Sequence, residues 1–286
     1  MIRKAVTSDA DEVALDLEDA VIPEEKPGAR ENVVTSARED EWGEKTLSVR
    51  INGLAAKYFY RDVVTLVEEV GNELDTFLVP KVDRSEDIYV VETLLEQVEK
   101  QADIDHPIGI SVIVESAEGL ENVVEIAAAS DRLESLLFGS GDYSASIGIP
   151  HPSASGNRGF EYPGDLWHSV RSRILNAAKA NGLDAIDGPF ADFDDAEVYR
   201  EHCETSAALG FDGKFLIHPG QIEVANEVYG PSEADIEHAR EIVDALEEGD
   251  IEGKGAVNLD GVMVDIAHYQ HAQGILEAAE AIGKLG

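Results

Sequence analysis

Seven short apolar stretches recur along the chain: EVALDLE (12–18), TLSVRIN (46–52), TFLVPK (76–81), IGISVIVES (108–116), ESLLFGSGD (134–142), LDAIDGP (183–189) and GKFLIHP (213–219). In the first, Val13, Leu15 and Leu17 alternate with Ala14, Asp16 and Glu18. A strand there puts the aliphatics on one face and the carboxylates on the other. Between most of these stretches the period changes. YFYRDVVTLVEEVGNEL, IYVVETLLEQVEKQ, LENVVEIAAAS and WHSVRSRILNAAKANG carry apolar residues three and four apart, the spacing of helices that bury one side. Strand alternating with helix predicts parallel βα units, whose closed form is an eight-stranded TIM (β/α)8-type barrel. The pattern supplies seven strands, ending near residues 18, 52, 81, 116, 142, 188 and 218.

After the last strand the rhythm is different. A helical pattern interrupted at Gly230–Pro231 is followed by the glycine-rich IEGKGAVNLDGVMVDIAHYQHAQGILEAAEAIG. The expected organisation is therefore an α/β barrel over residues 1–221 and a C-terminal helical extension over 222–286, acting as a lid or a subunit contact.

Charge narrows the range of partners. The 286 residues include 22 Lys and Arg against 59 Asp and Glu, a formal net charge of −37 spread along the whole chain. Such a field repels nucleic acid and anionic membranes, so neither is an expected partner. It suits a halophilic protein in a cytoplasm of very high salt, where screening suppresses self-repulsion. An acidic protein of an ordinary cytoplasm is the alternative, and stability against KCl separates the two. The single Cys203 allows no intrachain disulfide, which fits a reducing compartment. With no apolar run of membrane-spanning length and no signal-peptide core, a soluble cytoplasmic protein is expected.

Candidate chemistry stands at the strand ends: Glu18 and Asp19, Arg50 and Asn52, Lys81, Glu115, Asp142, Asp187 and His218. In a βα barrel catalytic groups come from the C-terminal ends of several strands. Helix capping explains Asp19 equally well, but explains Arg50, Lys81 and Glu115 poorly. Glu115 and Asp142 read either as hard oxygen ligands for a divalent cation or as partners of Arg50 or Lys81 in structural ion pairs. FGSGDYSASIG lacks the Gly and Lys positions of phosphate-binding loops and reads as a turn that brings Asp142 close to a ligand. Asp265 reads by composition as the N-cap of the helix starting at Ile266. His268 and His271 lack a third ligand for a metal site.

The motifs LDLEDAVIPEEKPGAR, VRING, VPKV, VIVESAEGL, FGSGDYSASIG, AIDGPFADF, GKFLIHPGQI and DGVMVD, in this order, resemble the HpcH/HpaI aldolase/citrate lyase family. Its members are magnesium-dependent barrel enzymes that include citrate lyase β-subunits and malyl-CoA lyases. YPGDLWHSVRSRILNAAKANGLDAIDGPFADF is similar to the malyl-CoA lyase branch in particular.

The resemblance implies a reversible Claisen-type cleavage of malyl-CoA, and of β-methylmalyl-CoA, to glyoxylate and an acyl-CoA. It implies Glu115 and Asp142 as ligands of Mg2+, with Mn2+ as a substitute, and Glu18 and Asp19 as outer carboxylates orienting bound water. Arg50 is implied to hold the substrate oxygen that gains charge, and Asp265 to carry the proton, often into a neighbouring subunit's mouth. Asp187, Gly188 and Pro189 would lie near the thioester, and Lys4, His218 and Pro219 on the coenzyme A side. A homo-oligomer, trimer or hexamer, is expected. Family members begin with one more strand, so the barrel is expected to lack its first. Citramalyl-CoA lyase and citrate lyase β-subunit are the rival activities, and a coenzyme A-binding protein without turnover is the rival of another class.

Overall fold

The structure is a computed structural model that describes residues 2–149, 165–192, 195–251 and 255–285. Tyr162 to Gly164 and Phe193, within the malyl-CoA-lyase-like stretch, lie outside the described residues. The chain divides into two compact units, Met1–Glu223 and Val224–Gly286.

In the first unit the elements follow as α1 (Ile2–Val6), β1 (Glu12–Asp16), α2 (Lys26–Glu39), β2 (Thr46–Arg50), α3 (Phe59–Val70), β3 (Thr76–Val79), α4 (Ser85–Ala102), β4 (Gly109–Val114), α5 (Ala117–Glu121) and α6 (Val123–Ala127). They continue as β5 (Leu133–Phe138), α7 (Ser140–Ser146), α8 (His168–Ala180), β6 (Asp184–Asp187), α9 (Ala196–Leu209) and β7 (Gly213–Lys214). The seven strands form one curled parallel sheet in sequence order, a half-barrel of the TIM kind. Among the described residues β1 and β7 each have a single neighbour, and closure to eight strands needs one further strand between them.

The alternation in β1 has the expected result. Val13, Leu15 and Leu17 are buried, and the interior face is built instead from Leu78, Ile113 and Leu137, with Ala14, Ile186 and Phe215 packed against them. Helix α3 shows the other period. Val63, Val67 and Val70 are buried while Tyr60, Glu68 and Glu69 face solvent, so one side of the helix drives its docking.

Two strands are shorter than their apolar patterns. The stretch expected to run as a strand to His218 leaves the sheet at Lys214, because its neighbour β6 ends at Asp187 and offers no further ladder. Asp142 likewise stands in α7 rather than at the end of β5, since the chain turns into a helix immediately after Gly139.

The second unit contains α11 (Glu233–Ile251), β8 (Ala256–Leu259), β9 (Val262–Asp265) and α12 (Ile266–Ala281), while α10 (Ile222–Tyr229) straddles the boundary. An extension of helices alone was expected, and the hairpin β8–β9 corrects it. Asp260 and Gly261, both at positive φ (51° and 90°), make the two-residue turn that suits the twist of paired strands. Ala239, Ile242, Leu246, Val264 and Ala272 form this unit's own core. No helix among the described residues is long and apolar enough to cross a membrane.

Candidate active site

The end of β1 is fixed before its carboxylates do anything. Buried Lys26 donates from Nζ to the carbonyls of Leu17 (2.8 Å) and Glu18 (3.0 Å). Asn52, also buried, donates from Nδ2 to the Leu17 carbonyl at 3.0 Å, and Asp62 holds Asn52 through both its backbone and its side-chain amide. Register then sets the first functional pair. Asp16 lies directly across from Arg50 in the β1–β2 ladder, and their side chains meet in a two-pronged bond, Nε to Oδ1 at 2.8 Å and Nη2 to Oδ2 at 2.6 Å. That fork fixes the guanidinium plane.

Around this pair four more carboxylates converge with one lysine. Lys81 bonds Glu18 through its ammonium and lies 3.4 Å from Asp19 and 3.8 Å from Asp142. Its backbone N–H donates to Glu115 Oε1 at 2.8 Å. Arg50 Nη1 reaches Glu18 at 3.5 Å. Glycine makes the closest approach possible: a Cβ on Gly139 would sit 2.4 Å from the Glu115 Cβ, so only glycine lets the chain leaving β5 pass beside β4's carboxylate.

Glu115 forms no ion pair among the described residues, which decides against the structural-pair reading for it. Burial, then the charge of Asp142, pushes its carboxyl up to about 7 against the pull of the Lys81 N–H. Burial and the neighbouring Asp19 likewise push Glu18 up, opposed by Lys81. Asp16, Glu18, Asp19, Glu115 and Asp142 stand against Arg50 and Lys81, leaving the site with surplus negative charge. Hard oxygen donors with that surplus suit a small divalent cation, although among the described residues no three His, Cys, Asp or Glu side chains are grouped as a metal site; Glu115 and Asp142 are two carboxylates, and a cation there would draw its other ligands from water and substrate.

A second carboxylate group lies two strands away and is built differently. Asp187, wholly buried, accepts from Arg171 Nε at 2.8 Å and from Lys214 Nζ at 2.5 Å, and Arg171 is also bonded to Asp165 at 2.9 Å. Burial alone would raise the Asp187 carboxyl, but the two cations outweigh it and hold it below the usual range. Beside it Phe138, Trp167, Gly188, Pro189 and His202 enclose a cavity of about 240 Å³. Gly188 is required there, since a Cβ would meet the Phe138 carbonyl oxygen at 2.4 Å.

The remaining expected residues have local partners of their own or lie exposed. His218 caps the turn Pro219–Gln221, its Nδ1 accepting from the Gly220 N–H at 3.1 Å, and Lys4 is exposed on α1. In the second unit Asp265 caps α12, accepting from the Ala267 N–H at 3.1 Å with His268 Nδ1 at 2.8 Å; the His268 bond holds its carboxyl low. Exposed Val262, Met263 and Ile266 flank it.

The sequence puts Lys81 among the polar strand ends and Asp16 on the carboxylate face of the first strand, but does not show which groups they meet. Asp16 belongs to the same alternating face as Glu18, a signal that was present. The role of Lys81 depends on cross-strand geometry that spacing does not carry.

Comparison with known proteins gives a consistent picture. The family model for HpcH/HpaI aldolase/citrate lyase matches residues 1–219. The chain is 41% identical to the L-malyl-CoA/β-methylmalyl-CoA lyase of Cereibacter sphaeroides, over 99% of this chain and 91% of that protein. Among solved structures it resembles protein CitE from Mycobacterium tuberculosis in complex with magnesium, acetoacetate and coenzyme A. That match has a TM-score of 0.72 at 31% identity, covering 97% of this chain and 91% of the other. A citrate lyase from Burkholderia xenovorans superposes with a TM-score of 0.82 at 21% identity, covering 95% and 84% of the two chains, a likeness of fold.

Proposed function

The chain belongs to the HpcH/HpaI aldolase/citrate lyase family, and on that premise we propose that it is a carbon–carbon lyase that splits malyl-CoA, and β-methylmalyl-CoA, into glyoxylate and acetyl-CoA or propionyl-CoA. The observation that carries the reading is Glu115, buried beside Asp142 and in no ion pair among the described residues. Magnesium, or manganese in its place, is the group these two carboxylates would hold, and it supplies Lewis-acid polarisation of substrate oxygens.

The chain's own residues do the rest. In cleavage, the bond between the hydroxyl-bearing carbon and the carbon next to the thioester breaks. The hydroxyl loses its proton and becomes the aldehyde oxygen of glyoxylate, and the electron pair moves into the thioester enolate. Arg50, aimed by Asp16, donates to the substrate oxygen whose charge grows as this happens. Glu18 and Asp19 hold and orient water at the mouth. The proton that the hydroxyl gives up passes to Asp265, whose carboxylate the His268 bond keeps ionised and able to accept it, and from Asp265 to the enolate carbon. Asp187 braces the floor on which Gly188 and Pro189 face the thioester, with Lys4, His218 and Pro219 on the coenzyme A side.

The second unit is read as a lid that serves a neighbouring copy in a homo-oligomer, trimer or hexamer. Its exposed apolar residues around Asp265 support this, as a surface meant to be covered. The acidic surface supports work in a cytoplasm of high salt.

The test is glyoxylate release from malyl-CoA in molar KCl, with and without Mg2+. The expected result is Mg2+-dependent release that Asp142→Ala loses by about 10²-fold or more. No release in the presence of Mg2+, or release indifferent to the substitution, overturns the reading.

A further inference from the structure

Three non-glycine residues among those described have positive φ: Lys81 (56°), Asp103 (52°) and Asp260 (51°). Asp103 ends a helix and Asp260 opens a hairpin turn, places where a short polar side chain tolerates the left-handed backbone. Lys81 does neither. It stands two residues after the end of β3, beyond Pro80, and its unfavourable backbone points its N–H at Glu115 Oε1 while its ammonium reaches Glu18, Asp19 and Asp142.

Glycine would adopt this conformation without strain and would keep the N–H on Glu115. The backbone therefore does not explain a lysine; the ammonium does. Among the described residues Lys81 is also the one side chain within ion-pair distance of carboxylates from β1's end and from α7 together, so Glu18, Asp19 and Asp142 are held relative to one another through it. The same positive charge stands next to the surplus of negative charge that would attract a divalent cation, and opposes its entry.

The geometry points to Lys81 as a positioning residue of the lyase: it orders Glu18 and Asp19 around the mouth for turnover, and in doing so weakens the site's hold on its divalent cation. This rests on the cation site assigned above to Glu115 and Asp142. Turnover and cation affinity then move in opposite directions when the ammonium is removed, whereas a residue that merely supports the fold loses both together.

The experiment measures Mn2+ binding by the paramagnetic resonance of free Mn2+, together with kcat, KM and metal-free melting temperature, for the unsubstituted protein, Lys81→Met and Lys81→Arg. Lys81→Met is expected to bind Mn2+ about threefold tighter or more, as a like charge leaves. Its kcat is expected to fall about 10²-fold with KM for malyl-CoA little changed, as the orienting contacts go. Lys81→Arg, which keeps the charge, returns Mn2+ affinity to the original value and recovers at least about tenfold of the lost kcat. Should Lys81→Met be unstable, Lys81→Gly gives the same reading without backbone strain. Unchanged or weaker Mn2+ binding in the charge-deleted variants overturns the inference alone. Failure of the unsubstituted protein to bind Mn2+ overturns the cation site itself, and this inference with it.

Discussion

Glu115 and Asp187 are both buried carboxylates at the C-terminal edge of the sheet, following β4 and ending β6, and their surroundings are opposite. Asp187 has two cations within bonding distance, one of them a lysine whose side chain is 1% exposed. Glu115 has a backbone N–H and a neighbouring Asp142 that repels it. The first arrangement is closed: every charge has its partner, and taking one away leaves another stranded. The second is open, and the imbalance is what a divalent cation would relieve. Burial of an acid therefore does not by itself mark a reactive site, and the partner count does.

The largest effects should separate the two. Glu115→Gln is expected to lower Mg2+-dependent turnover on the order of 10³-fold, while the metal-free protein melts no lower than the original, since a repelled charge has been removed. Asp187→Ala should do the reverse in kind. It strands buried Lys214, leaves Arg171 with Asp165 alone, and should cost roughly 3–5 kcal/mol of stability, read by denaturant titration. A Glu115→Gln protein that unfolds like Asp187→Ala would erase the distinction.

Next in size is Gly139→Ala. The added methyl would meet the Glu115 Cβ, so Glu115 must shift. A loss of about 10²-fold in kcat is expected together with roughly 1–3 kcal/mol of stability, because the methyl meets a Cβ and the buried Ile113 rather than a flexible chain end, and displacement of an ångström at a reacting site has that cost in rate. A loss of stability with kcat kept would mean Gly139 serves the fold alone.

The pH response sharpens the contrast further. Glu115 titrates near pH 7 in the folded protein and at 4.5 in an unfolded chain, so between these values the folded state binds the extra proton. Stability of the metal-free protein should thus fall as pH rises through that window, by an amount on the order of 2 kcal/mol that Glu115→Gln abolishes. Asp187 runs the other way. Its carboxyl is depressed, so its contribution is present above pH 3.8 and disappears only as the pH drops through its lower folded value. Denaturation at pH 5.5 and 8 in the presence of EDTA, with and without Glu115→Gln, checks the slope.

What could be read from residue order follows from these same groups. The β1 alternation shows which side Val13, Leu15 and Leu17 take, and the polar strand ends pick out Glu18, Arg50, Lys81 and Glu115, which the fold brings into one cluster. Pairings did not come through. That Asp16 faces Arg50 is a matter of register between strands 34 residues apart, and that Glu115 has no ion pair among the described residues while Asp187 has two depends on where α8 and β7 bring Arg171 and Lys214. The apolar run after Lys214 looked like strand because hydrophobicity does not reveal that β6 stops first. The hairpin was legible and was passed over: Asp260–Gly261 between alternating apolar residues is the signature of its turn, submerged in a glycine-rich stretch.

That turn supplies the smallest effect, and it tests a third kind of carboxylate. Asp265 is neither enclosed by cations like Asp187 nor repelled like Glu115; it is exposed, held low by His268 and placed by local backbone at the junction of β9 and α12. Its position depends on the register Leu259↔Val262, which the turn sets. Gly261 has φ of 90° with open space where a Cβ would go, so Gly261→Ala meets no neighbour and strains only the backbone. About 1 kcal/mol of hairpin stability should be lost, with the first unit's stability untouched. Because the proton transfer proposed for Asp265 needs it presented in one place, hydrogen exchange in β8 and β9 should quicken and kcat should fall by a few-fold while Mn2+ affinity stays fixed. A change in Mn2+ affinity would instead mean that Asp265 takes part in holding the cation, and the three carboxylates would no longer divide as argued.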